Sequence, residues 1–167
     1  MYLPYVTNLT RERIARELDA RGPELCMEET LQELSGDNPE VLDMTKKCAA
    51  SFGDRYAKVM LELCVFYRLL AAEFKTMDPG LRLLNPFPRV TPETRDRLVE
   101  QIDNQGVEAF TASATEHLAQ HNPNLLQMAH NSAERQESYL PMMQGFALLY
   151  TALVEQAAAD RVAVALH

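Results

Sequence analysis

The feature that most constrains this chain is that its first half is written again in its second. A shift of 84 residues lays Pro4–Ala50 on Pro88–Glu134 without a gap, and 15 of the 47 positions are identical. Average residue usage would give roughly three matches by chance. The identities include punctuation as well as apolar positions: Thr7/Thr91, Gly22/Gly106, Asn38/Asn122 and Pro39/Pro123. Amphipathic periodicity does not by itself fix such residues, so the match points to a tandem duplication. A one-residue slip between Ala50 and Tyr56 then sets the register to 83, and Tyr56/Tyr139, Met60/Met143, Tyr67/Tyr150 and Leu70/Leu153 coincide. A slip of this kind belongs in a loop, where length changes are tolerated best.

The punctuation predicts four helices per copy. Thr7 and Thr91 read as N-caps, with Pro92 at the first helical position of the second copy. Gly22 and Gly106 read as left-handed residues that end the first helix, and Ile14/Leu18 or Leu98/Ile102 share one face. A second helix is expected over about Pro23–Ser35 and Val107–Gln120. Its apolar stripe is Cys26, Thr30 and Leu34, or Phe110, Ala114 and Leu118. Asn38-Pro39 and Asn122-Pro123 read as the cap and first residue of a third helix. The fourth, Tyr56–Phe74 and its partner from Tyr139 to about Ala159, is apolar almost all round, so it must be surrounded by protein. No segment alternates with the period of a strand.

The expected architecture is therefore a single all-α domain over residues 1–167, built from a roughly 80-residue four-helix unit used twice. Repeat 1 covers 4–75, an ordered Pro-rich connector 76–87, repeat 2 88–160 and a C-terminal tail 161–167. Leu81, Leu83, Leu84 and Phe87 predict that the connector packs as a strap, and the alanine-rich tail is expected to extend the last helix. Two wholly apolar helices are buried most simply by packing them together about a pseudo-twofold axis, as in a homodimer fused into one chain.

Charge narrows the function. Sixteen Lys and Arg against 24 Asp and Glu give a net charge of −8. The most basic run, Arg11, Arg13, Arg16 and Arg21, is interleaved with Glu12, Glu17 and Asp19. Counterion release on nucleic acid needs clustered cations, so no nucleic-acid partner is expected. Three unpaired-looking cysteines, Cys26, Cys48 and Cys64, fit buried thiols in a reducing, cytoplasmic setting. The run Val59–Phe74 is interrupted by Glu62, Arg68 and Glu73, and no leader is read at the N-terminus, so no membrane partner is expected.

Few residues suggest chemistry. Glu62 stands on the most apolar helix, where its counterpart is Gly145; a buried carboxylate needs a partner, and Lys58 lies four residues earlier. Gly145 would give room where helices cross. Tyr67 and Tyr150 coincide in the two copies and need partners for their hydroxyls. His117 and His121 have the i, i+4 spacing that places two imidazoles on one metal, and His130 and Glu134 repeat it, without an HExxH or Glu-x-x-His context. Arg11/Arg95, Arg13/Arg97 and Glu24/Glu108 are expected to tie the first helix of each copy to the second. No P-loop, GxGxxG or GxSxG is present.

The reading is a non-enzymatic helical interaction or regulatory module that uses no cofactor and has a protein partner or self-associates; its eight methionines suit an adaptable surface. The alternative is a binder of a small apolar ligand between the repeats, with Glu62, Tyr67, Met60, Met143 and Tyr150 as lining. A metal-assisted enzyme built on His117 and His121 is the third.

Overall fold

The computed structural model describes residues 3–165. Nine α-helices follow one another among them: α1 (Asn8–Arg21), α2 (Pro23–Asp37), α3 (Pro39–Ala50), α4 (Tyr56–Thr76), α5 (Pro79–Leu84), α6 (Pro92–Gln105), α7 (Val107–His121), α8 (Pro123–Arg135) and α9 (Tyr139–Ala165). One 3-10 turn, Gly53–Arg55, precedes α4. The described residues contain no strand, so the molecule is all-helical. No described helix is long and apolar enough to cross a membrane.

Helix ends lie where the punctuation puts them, yet two caps work differently from expectation. Gly22 and Gly106 do take positive φ, 90° in both, but their ψ values of 146° and 145° lie outside the left-handed helical well. Each glycine ends one helix and begins the next. Its N–H bonds Leu18 or Ile102, and its carbonyl accepts from Cys26 or Phe110. That region of backbone space is open essentially to glycine alone. Asn38 and Asn122 precede α3 and α8, but neither side chain caps its helix. Each is buried and grips the other half instead. Asn38 Oδ1 accepts the Val90 N–H at 2.9 Å, and its Nδ2 donates to the Pro88 carbonyl at 2.8 Å. Asn122 does the same to the Val6 N–H at 3.0 Å and the Pro4 carbonyl at 2.9 Å.

A second set of bonds seats the start of each first helix on a fourth helix. Thr7 and Thr10 donate to a Glu73 carboxylate oxygen, as Thr91 and Thr94 do to Gln156 Oε1. Arg21 reaches Glu29 from α1 to α2, and Gln105 reaches Ser113 at 3.3 Å from α6 to α7. These, and not Arg–Glu pairs using Glu24 or Glu108, tie the first two helices. Arg95 turns to Glu40 of α3 at 2.7 Å and to Asp96 at 3.3 Å. Glu24 and Glu108 are exposed.

The core lies along α4 and α9. Phe66 and Phe146 meet with ring centroids 5.0 Å apart, and Leu63, Leu70, Met142 and Leu153 are fully buried around them. Burying each such side chain contributes about 2 kcal/mol. Around this pair, α2, α3 and α8 pack on α4, while α3, α6, α7 and α8 pack on α9. Thus α3 bridges to α9 and α8 bridges to α4, so neither half covers its long helix alone.

The connector departs from the expected strap. Only Phe87 packs inward, edge-on to Tyr67 at 5.6 Å and to Phe74 at 5.5 Å. Leu83 and Leu84 are 85% and 75% exposed, because α5 is too short to reach the core with more than its C-terminal flank. The tail does extend the last helix, to Ala165; residues 166–167, and with them His167, lie outside the described residues.

Candidate functional site

A cleft of about 410 Å³ opens between α3 on one side and α6, α7 and α9 on the other. Its wall is largely apolar: Leu98, Val99, Ile102, Val107, Phe110 and Leu148. Cys48 and Gly145 line it where α3 passes α9, and Lys47, Asp43, Arg95 and Gln144 complete the lining. This volume is in the range of small-molecule sites.

The floor exists because residue 145 has no side chain. A Cβ there would come within 2.7 Å of Cys48 Sγ and 3.5 Å of Leu63 Cδ2. Glycine therefore lets α3 ride close over α9. Helix α9 accepts this glycine, at about 1 kcal/mol relative to alanine, because packing on every side holds it helical.

The ionic groups of the cleft are already paired. Lys47 bonds Asp43 at 2.9 Å one turn earlier, and Arg95 is shared between Glu40 and Asp96. Burial pushes the Cys48 thiol up to about 11, so at neutral pH it is an uncharged SH and a poor nucleophile. Ser51 and Thr111 spend their hydroxyls on the Cys48 and Val107 carbonyls. The half-buried Gln144 amide makes no hydrogen bond to the described residues. This is an arrangement for holding a molecule, not for activating one.

None of the five residues expected to line a ligand pocket is in the wall of this cleft. Met60, Met143, Tyr67, Tyr150 and Glu62 are all buried, as packed side chains. The Glu62 carboxylate, 8% exposed, is not paired with Lys58, which faces solvent. It receives Arg135 from α8 in a two-pronged pair, Nε to Oε1 at 3.1 Å and Nη2 to Oε2 at 2.9 Å, and Gln136 at 3.2 Å. The partner comes from a different helix because residue 58 lies in the first turn of α4, outside the core, whereas α8 lies against the buried face.

Tyr67 and Tyr150 do not face each other. Burial raises both phenols to about 12. Tyr67 sits beside Phe87, and the Tyr150 hydroxyl lies 2.6 Å from His117 Nδ1. His117 and His121 are adjacent, ring centroids 4.3 Å apart, but the Tyr150 contact occupies one nitrogen of the pair. Burial, and then the His121 charge, lower the His117 pKa. His130 stacks on Tyr139 and bonds its hydroxyl. Among the described residues no three His, Cys, Asp or Glu side chains are grouped to hold a metal ion.

The sequence signal for the cleft was the mismatched pair Glu62/Gly145, but it drew attention to the carboxylate. The glycine is the member at the cleft. Compared with models of protein families, with curated proteins and with solved structures, the chain gives no significant match.

Proposed function

We propose that this protein is a non-enzymatic binding module, and that the cleft between α3 and α6, α7 and α9 takes a small apolar molecule. The observation that carries this reading is an apolar, ligand-sized concavity at which no activated nucleophile, base or acid converges. It is the alternative of a small apolar ligand held between the repeats, moved from the long-helix crossing to its flank.

The reading rests on a duplicated architecture, which we also propose. Helices α1–α3 recur as α6–α8 after 84 residues, and α4 starts again as α9 after 83. The backbone angles at Asn38 and Asn122 agree within a degree, and their side-chain bonds are reciprocal between the halves. Reciprocity of this kind is what a twofold axis produces. The second half then supplies most of the cleft, and α3 of the first half closes it.

The test is a fluorescence titration with Nile red, a neutral apolar dye. Wild-type protein should bind one dye per chain, saturably. Val99→Trp, a change at a half-exposed position in the wall, should weaken binding about ten-fold or more without lowering the melting temperature. Non-saturable uptake, or undiminished binding by that variant, would overturn the reading.

A further inference from the structure

We infer that the natural occupant of the cleft is an uncharged apolar molecule carrying one hydrogen-bonding group, a carbonyl or a hydroxyl, that pairs with the Gln144 side chain. This rests on the cleft being a ligand site.

Two observations on the lining support it. First, charge has no vacancy there. An anionic head would meet Lys47 and Arg95 only by displacing Asp43, Glu40 or Asp96, and a cationic head would have to displace Lys47 from Asp43. Displacing an exposed pair gains little, and carrying an ion's charge onto an apolar wall costs much more. Cys48 adds no charge, since its thiol stays protonated. Second, hydrogen-bonding capacity does have a vacancy. Ser51 and Thr111 are committed to backbone carbonyls, whereas the Gln144 amide offers two donors and an acceptor to the cleft. Eighty-three residues earlier, the position holds Leu61. A polar side chain at this one place in an otherwise apolar wall fixes the orientation of a guest, as the few polar groups of ligand pockets generally do.

Three probes of nearly one shape separate the possibilities: 2-ethylnaphthalene, 2-acetylnaphthalene and 2-naphthoate. Isothermal titration on the full chain should rank acetyl above ethyl by roughly three- to ten-fold, the value of one neutral hydrogen bond. Naphthoate should bind more weakly than either. Gln144→Leu, a substitution at a half-exposed position, should bring the acetyl compound down to the ethyl compound and leave the ethyl compound unchanged. Equal affinity of acetyl and ethyl in the wild type, an unchanged preference in Gln144→Leu, or tightest binding of naphthoate would each overturn the inference while leaving the cleft a binding site. Failure of all three to bind, or binding that Val99→Trp does not weaken, would overturn the cleft reading itself.

Discussion

Two corresponding corners of this molecule have opposite interiors. Where α3 meets α9, Gly145, Ser51 and Thr111 leave a cleft. Where α8 meets α4, the positions 83 or 84 residues away hold Glu62, Arg135 and Met27, and the Glu62–Arg135 pair fills the space. The same scaffold therefore makes a ligand-sized hollow or a structural ion pair according to three side chains. The hollow is then a feature of one corner, not of the architecture, and a fully symmetric molecule would have two or none.

The largest effects should fall where the corners are alike. Replacing Asn38 or Asn122 by Ala leaves a buried peptide N–H and a buried carbonyl unpaired. Each variant should lose about 3 kcal/mol, or about 8 °C in melting temperature. The two losses should agree within about 0.5 kcal/mol. Thermal unfolding of both variants side by side checks this, and a much smaller loss in one would break the equivalence of the halves.

Next come the residues that differ. Arg135→Ala strands the Glu62 carboxylate in a nearly dry site, at a cost of about 2 kcal/mol, less than a fully buried pair because the Arg135 side chain is 59% exposed. Ser51→Ala, at the matching place by the cleft, should change stability by no more than about 0.5 kcal/mol. Urea midpoints for the two variants test the contrast.

The double variant Glu62→Gly with Arg135→Ser imposes the open corner's residues on the closed one. Removing both partners together avoids the stranded charge, so it should cost only about 1 kcal/mol, chiefly from glycine in a helix, and less than Arg135→Ala alone. It should also raise the Nile red stoichiometry from one toward two. If stoichiometry stays at one, the openness of the cleft depends on more than these positions.

Much of this frame was legible in the residues. Thr7, Gly22 and Asn38 with their repeats placed the helix ends, because capping is local chemistry that a short stretch of chain decides. What the Asn38 side chain does was not legible. Its partners lie 50 and 52 residues away, and an Asn-Pro pair looks the same whether it caps its own helix or clamps another segment. Glu62 was visibly anomalous, yet only the packing of α8 on α4 selects Arg135 over Lys58. The exposed leucines of α5 illustrate the converse: apolar composition predicted burial, but a helix of six residues held at its ends cannot turn every leucine inward. The cleft depended on three absences of bulk in three separate helices, and an absence leaves no motif.

The smallest effect concerns one more unequal pair. Glu33 of α2 bonds Lys75 at 3.1 Å, whereas 84 residues on stands His117, and the lysine's counterpart is Ala158. Without a cation to hold, the second half uses a neutral imidazole that meets the Tyr150 hydroxyl at 2.6 Å. Burial and the neighbouring His121 hold the His117 pKa below its ordinary value of 6.5. In the unfolded chain that imidazole gains its proton near pH 6.5, while in the fold it resists protonation. Between the two pKa values the unfolded state therefore binds more protons, and stability falls as pH drops through about 6.5 and levels off below the folded value. Above pH 7.5 both states are neutral and the contribution vanishes. Urea midpoints at pH 7.5, 6.5 and 5.5 should decline more in the wild type than in His117→Gln, because the carboxylates common to both cancel in the comparison. Equal declines would mean that the tyrosine contact does not favour the neutral ring, and that this difference between the halves carries no electrostatic consequence.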